Sequence, residues 1–141
     1  MKKILFICTG NTCRSPMAAG LFNKLAQDRS LQGFTAESAG LAAMPGDEAT
    51  PNAIAAAAEW GADISGHRSR AYSPYMADEA EFLVCMTPAH AELLKDVPEE
   101  KKVVLAGGVP DPYGGSLEEY RLCAKKIIEG LEELFPFFLN Q

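Results

Sequence analysis

A cysteine and an arginine stand six positions apart in the run Cys8-Thr9-Gly10-Asn11-Thr12-Cys13-Arg14, and Ser15-Pro16 follows at once. These residue types converge on one kind of chemistry. A cysteine held as thiolate is a nucleophile. The residues at 9–13 let the backbone curl so that successive N–H groups line a concave nest for an anion, with Gly10 expected to take the positive φ that curling requires. A helix starting at Ser15-Pro16 adds N–H groups with no intrahelical partner and the positive end of its dipole. Arg14 adds a planar, permanently charged fork suited to two phosphate oxygens. Arginine is unfavourable at that end of a helix, so a bound anion accounts for its presence. The same field favours Cys8 as thiolate, the Ser15 hydroxyl can donate to its sulfur, and the Asn11 amide can brace the curled backbone. Thr9, Gly10, Asn11, Thr12, Cys13 and Arg14 are thus candidate phosphate-binding residues around Cys8, as in a phosphatase of the Cys-thiolate type. Cysteine also closes buried strands as a small apolar residue, and Gly-Asn and Ser-Pro are common turn and helix-start pairs.

A second stretch, Gly107 to Gly115, is rich in turn formers and carries a single carboxylate, Asp111, between Pro110 and Pro112. Two prolines restrict the backbone on both sides of Asp111, which suits a side chain that must be aimed. Asp-Pro also initiates ordinary turns.

The run Cys8 to Pro16 resembles the P-loop of the low-molecular-weight protein tyrosine phosphatase family. Glu37-Ser38-Ala39-Gly40, Asp63 to Arg70 and Asp111-Pro112-Tyr113 resemble further segments of that family, so the likeness extends over nearly the whole chain. It implies Cys8 as nucleophile, Arg14 as the phosphoryl-binding cation, and Asp111 as the acid that protonates the leaving atom and then activates water. Tyr113 is implied as an aromatic wall of the pocket. The resemblance also implies a phosphocysteine intermediate, inorganic phosphate as product, and a reversible disulfide of Cys8 with Cys13 that guards the thiol against over-oxidation. For Cys13, a small buried residue lining the loop is the alternative. Thr12, together with the string Cys8 to Ala18 and Asp111-Pro112-Tyr113-Gly114-Gly115-Ser116, resembles the bacterial protein arginine phosphatase branch. A small polar side chain at Thr12 leaves room for a planar guanidinium near phosphorus, with Asp111 able to pair with its nitrogens. Two positions depart from that branch: Ala19-Gly20 stands where a glutamate usually follows the alanine, and Ala42 where an apolar or aromatic wall residue is common. Phosphoarginine is favoured over phosphotyrosine as substrate.

The elements that must position these groups alternate between strand-like and helix-like runs, which argues α/β with a parallel sheet. Strands are expected at Lys3 to Cys8, Phe34 to Ser38, Glu81 to Met86 and Lys102 to Leu105. Ser15-Pro16, Thr50-Pro51, Ser73-Pro74 and Thr87-Pro88 each read as an N-cap followed by proline. A helix over Ala53 to Trp60 is expected to stop at Gly61. The last helix is expected from Ser116, with Glu119 completing a capping box, to about Leu134, and the apolar tail Phe135 to Leu139 to pack back on the sheet. This order implies a three-layer, four-stranded, flavodoxin-like sheet in a single domain, 1–141, with the first strand central. Cys8 then lies at the carboxyl edge where open α/β sheets bind ligands, and the loop carrying Asp111 opens on the same edge.

Composition sets the remaining expectations. A net charge of -6 disfavours nucleic acid or an anionic membrane as partners, so local positive charge at the loop must recruit a phosphorylated protein. The apolar run after Lys2-Lys3 is too short for a signal peptide, and four irregularly spaced cysteines read as reduced thiols, so a cytoplasmic monomer is expected. No metal or cofactor is called for. His67 and His90 lack ligand-like spacing to the cysteines and read as surface or loop histidines. Cys85 reads as a buried strand residue, Cys123 as a structural helix position, and His67-Arg68-Ser69-Arg70 as a solvated loop. Two other functions form related intermediates. A thioredoxin-coupled arsenate reductase needs two further cysteines near one another, which Cys85 and Cys123 do not supply. A sugar-transport phosphocarrier makes a phosphocysteine but does not need the Arg14 and Asp111 pair.

Overall fold

The computed structural model describes residues 1–139. In chain order the elements are β1 (Lys2–Cys8), α1 (Arg14–Asp28), β2 (Phe34–Gly40), α2 (Pro51–Ala58), α3 (Pro74–Glu79), β3 (Ala80–Cys85), α4 (Pro88–Leu93), β4 (Lys102–Val104) and α5 (Leu117–Leu139). The four strands form one all-parallel sheet in the order β2-β1-β3-β4. β1 is therefore central, and its apolar run is continuous because helices cover both faces.

Side-chain alternation divides the core in two. Ile4, Phe6 and Cys8 of β1 and Phe82 and Val84 of β3 face α1, α2 and α5. Leu5, Ile7, Leu83 and Cys85 face the opposite layer, with Ala77 of α3 and with Leu94 and Val97 just beyond α4. This is a three-layer α/β architecture, as expected from the sequence. Cys85 is fully buried in β3, and burial pushes its thiol up to about 12.

Local differences from the sequence reading have physical causes. α1 starts one residue before Ser15, with Cys13 at the N-cap position, so Ser15-Pro16 lies inside the first turn and the serine hydroxyl is free for the loop. Thr50 and Thr87 do cap their helices, accepting from Ala53 N at 3.4 Å and His90 N at 3.2 Å. Ser73 has extended N-cap backbone but makes no side-chain cap, and its hydroxyl is buried without a partner. α2 ends where Gly61, at φ 86°, turns the chain so that Ala62 N reaches Ala57 O at 3.1 Å. α5 is helical beyond Leu134: it passes through Pro136 to Leu139. Proline removes one bond in that last turn, but Phe135 and Phe138 on the same turn are buried against Phe22, and Phe138 also meets Phe34 and Phe82. The tail does pack on the sheet, as helix rather than as a separate strap.

Candidate active site

The loop between β1 and α1 is pinned from outside by its carbonyls. Cys8 O accepts from Leu41 N and Thr9 O from Ala42 N, both at 2.9 Å, and Thr12 O accepts from Thr50 N at 3.0 Å. With these oxygens bonded outward, the loop's N–H edge is left to line the cavity. Gly40, the last residue of β2, permits this approach: a Cβ placed there would lie 2.5 Å from Thr9 O. The positive φ falls on Asn11 (57°), not on Gly10 as expected. Asparagine tolerates this conformation, and here its side chain is fully engaged.

Asn11 is completely buried. Its Nδ2 donates to Ser15 Oγ at 2.8 Å and to Ser38 Oγ at 2.9 Å, while its Oδ1 accepts from Arg70 N at 2.8 Å. Ser15 Oγ accepts from Asn11, which leaves its own proton available to Cys8 Sγ, 2.9 Å away. Asn11 N also points at that sulfur, at 3.3 Å. Cys8 Sγ thus sits within reach of two donor groups, the Ser15 hydroxyl and the Asn11 N–H.

Arg14 is 5% exposed, and its Nη1 donates to Val109 O at 3.0 Å. Its Nη2 lies 3.7 Å from Asp111 Oδ2. Val109 N in turn bonds Met86 O, so the segment bearing Asp111 is tied to the end of β3 and to Arg14 together. Asp111 Oδ1 accepts from Tyr113 N at 3.0 Å, which turns Tyr113 outward at the rim. A cavity of about 170 Å³ results, lined by residues 8–14, Asp111 and Tyr113. Larger surface hollows of about 420 and 460 Å³ contain no cysteine and lie outside this site.

Thr12 lines the cavity as expected. Ala42 does not; its backbone holds Thr9 instead. The Cys13 thiol packs 3.3 Å from Tyr120 OH and 3.7 Å from Thr50 Oγ1. Burial, with the Cys13 contact next, pushes the Tyr120 phenol up to about 12. Cys123 is buried on α5 with its sulfur 4.0 Å from Pro110 O, and its thiol too is pushed up to about 12 by burial. Among the described residues no group of three or more His, Cys, Asp and Glu side chains is placed to hold a metal ion.

Of the two histidines, His90 departs from the expectation and His67 meets it in part. His90 is buried on α4, with Nε2 2.9 Å from Thr9 Oγ1 and Nδ1 3.0 Å from Thr87 Oγ1. His67 lies in a loop, but its Nε2 meets Asn11 O at 2.7 Å. Nor is the segment 67–70 simply solvated: Ser69 is buried, and Arg70 reaches Ser38 O through Nε at 3.2 Å while its backbone holds Asn11. The signal available for His90 was positional. It follows Thr87-Pro88 by two residues, at the carboxyl edge of the strand beside β1.

Similarity to known proteins agrees with this geometry. The chain is 36% identical over 135 residues to a protein-arginine-phosphatase of Geobacillus stearothermophilus, covering 89% of this chain and 88% of that one. It is 35% identical over 125 residues to the low molecular weight protein-tyrosine-phosphatase Wzb of Escherichia coli K12, covering 83% and 82%. It superposes with a TM-score of 0.86 and 33% identity, over 94% and 92% of the two chains, on a YwlE arginine phosphatase mutant with a phosphorylated active site serine. The model of the low molecular weight phosphotyrosine protein phosphatases matches residues 3–140, and the chain belongs to that family.

Proposed function

We propose that this phosphatase takes phosphoarginine side chains of proteins as its preferred substrate and uses Cys8, Arg14 and Asp111 as its catalytic groups. The observation that carries the catalytic assignment is the Cys8 sulfur, held by Asn11 N and Ser15 Oγ at the floor of a cavity that also contains Arg14 and Asp111. Cys8 thiolate attacks phosphorus in line, and the loop N–H groups and Arg14 match the charge spread over the equatorial oxygens. The bond from phosphorus to the leaving nitrogen or oxygen breaks as Asp111 gives that atom its proton. Asp111, now a carboxylate, takes a proton from water as the water attacks the phosphocysteine. Phosphate leaves, and Cys8 thiolate and protonated Asp111 are restored.

The preference for phosphoarginine is supported by Thr12, whose small side chain borders the cavity, and by the arginine phosphatases among the relatives. The exposed Tyr113 ring on the rim also suits an aromatic substrate, and tyrosine phosphatases of similar identity are among the relatives. Four free cysteines, all buried, fit a reducing compartment, and a cytoplasmic monomer is the working form. Competing turnover of phosphoarginine and phosphotyrosine peptides tests the preference. The wild type is expected to favour phosphoarginine. Thr12→Ile, which adds bulk beside phosphorus, is expected to shift the ratio of kcat/KM values toward phosphotyrosine by about tenfold. An unchanged ratio would contradict the role given to Thr12.

A further inference from the structure

His90 makes contacts that the mechanism above does not use. It is 6% exposed, and both ring nitrogens face hydroxyls: Thr87 Oγ1 at Nδ1 and Thr9 Oγ1 at Nε2. Thr9 belongs to the loop that lines the active-site cavity; Thr87 caps α4 outside it. We propose that Thr87, His90 and Thr9 form a directed hydrogen-bond relay in which His90 is a positioning residue that aims the Thr9 hydroxyl, as a donor, at the phosphoryl group above Cys8. The proposal rests on the phosphatase reading of this cavity.

Donor and acceptor capacity allows the relay to run from Thr87 through His90 to Thr9, the direction proposed. Thr87 Oγ1 already accepts the backbone N–H of His90 at 3.2 Å, so its single O–H proton is available for Nδ1 at 3.0 Å. Nδ1 is then the acceptor, and the one proton of a neutral imidazole sits on Nε2. Nε2–H donates to Thr9 Oγ1 at 2.9 Å. With its oxygen accepting from His90, Thr9 keeps its own O–H for a third group, and the cavity is where that group is bound. The opposite tautomer would turn the Thr9 proton back onto His90 and away from substrate.

Neutrality of the ring is supported by its surroundings. Burial holds the imidazole below its ordinary protonation range, the Arg14 charge on α1 acts in the same direction, and Asp111 on the neighbouring loop opposes them. The relay is also tied mechanically to the loop bearing Asp111. Pro88, next to Thr87, packs at Gly108, and Met86 O holds Val109 N. The geometry of Thr9 and of the acid segment is thus referred to the same short helix.

A double-mutant cycle tests the relay. Thr9→Val removes the hydroxyl at nearly constant shape, and His90→Leu removes the donor to it. Each is expected to lower kcat about tenfold with KM little changed, the double variant to be no slower than either single variant, and Thr9→Ser to restore most of the wild-type rate. In the wild type at neutral pH, ¹⁵N NMR of the labelled histidine is expected to place the proton on Nε2. Thr9→Val with unchanged kcat, losses that multiply in the double variant, or a proton on Nδ1 would each overturn the proposal. Should His90→Leu fail to fold, Thr9→Val, Thr9→Ser and the NMR measurement still decide. The catalytic reading is checked separately by wild-type turnover and its loss in Cys8→Ser, so a failed relay and a failed phosphatase assignment are distinguishable.

Discussion

At the scale of single residues, the site depends on a buried asparagine as much as on the cysteine it serves. Asn11 spends its amide on Ser15 and Ser38 and its carbonyl on Arg70, in a backbone conformation that an alanine adopts only at a cost of about 1 kcal/mol. Asn11→Ala is therefore expected to lower kcat/KM by about 10²-fold through misplacement of the loop, measured on any phosphorylated peptide the wild type turns over. A loss of less than threefold would show that the brace is redundant. Cys8→Ser is expected to abolish turnover while keeping phosphate affinity, because the N–H groups and Arg14 remain; calorimetric titration with phosphate checks this. Cys8, Asn11, Arg14 and Ser15 were legible in the sequence because one short loop holds all of them. His67 and His90 were not, since their partners Asn11 and Thr9 lie 56 and 81 residues away in the chain. Gly10 was misassigned because its flexibility made it the natural bearer of positive φ, whereas side-chain bonding moved that conformation to Asn11.

At the scale of elements, one close contact sets how the loop sits on its scaffold. The carboxyl end of β2 lies against Thr9 O with room for hydrogen only, so Gly40→Ala is expected to displace the loop and lower kcat/KM at least about tenfold, consistent with an overpacking strain of about 1–3 kcal/mol. Wild-type activity in that variant would mean that the loop yields freely. At the other end of the molecule, the last turn of α5 closes the aromatic cluster of Phe22, Phe34, Phe82 and Phe138. Phe138→Ala is expected to cost about 3–5 kcal/mol, read from the urea midpoint, with the active-site residues untouched. A change under 1 kcal/mol would place that turn outside the cooperative core. The strands were readable from apolar runs bounded by turns, with ends displaced by a residue or two. The extent of α5 was not, because Pro136 signals a stop locally and only the tertiary burial of Phe135 and Phe138 outweighs it.

At the scale of the whole molecule, the parallel order β2-β1-β3-β4 brings four separate segments to one edge, so that α4, the segment at 67–70 and the loop after β4 all meet the loop that follows β1, at Thr9, Asn11 and Arg14. This arrangement also buries His90 and half-buries His67, and both imidazoles favour the neutral form. Burial holds both His67 and His90 below the ordinary range; Arg70 and Arg68 add to this at His67 and Arg14 at His90, while Asn11 and Asp111 oppose. The unfolded chain therefore binds more protons than the folded one below about pH 6.5, and stability is complete above that value and lost as pH falls through the depressed folded values. Urea midpoints across that range are expected to decline toward acid, less steeply in His90→Gln; a midpoint rising toward acid in the wild type would contradict the sign. The central claim concerns what happens at the meeting point. Asp111→Ala, mixed with an aryl phosphate whose leaving group needs no proton, should form the phosphocysteine and hydrolyse it slowly, because the base for the second step is gone. Intact-protein mass spectrometry of the quenched reaction, followed by peptide mapping, is predicted to show a phosphoryl group on Cys8. Leaving-group release with no covalent phosphoryl-enzyme, or with the phosphoryl group on another residue, would contradict the account.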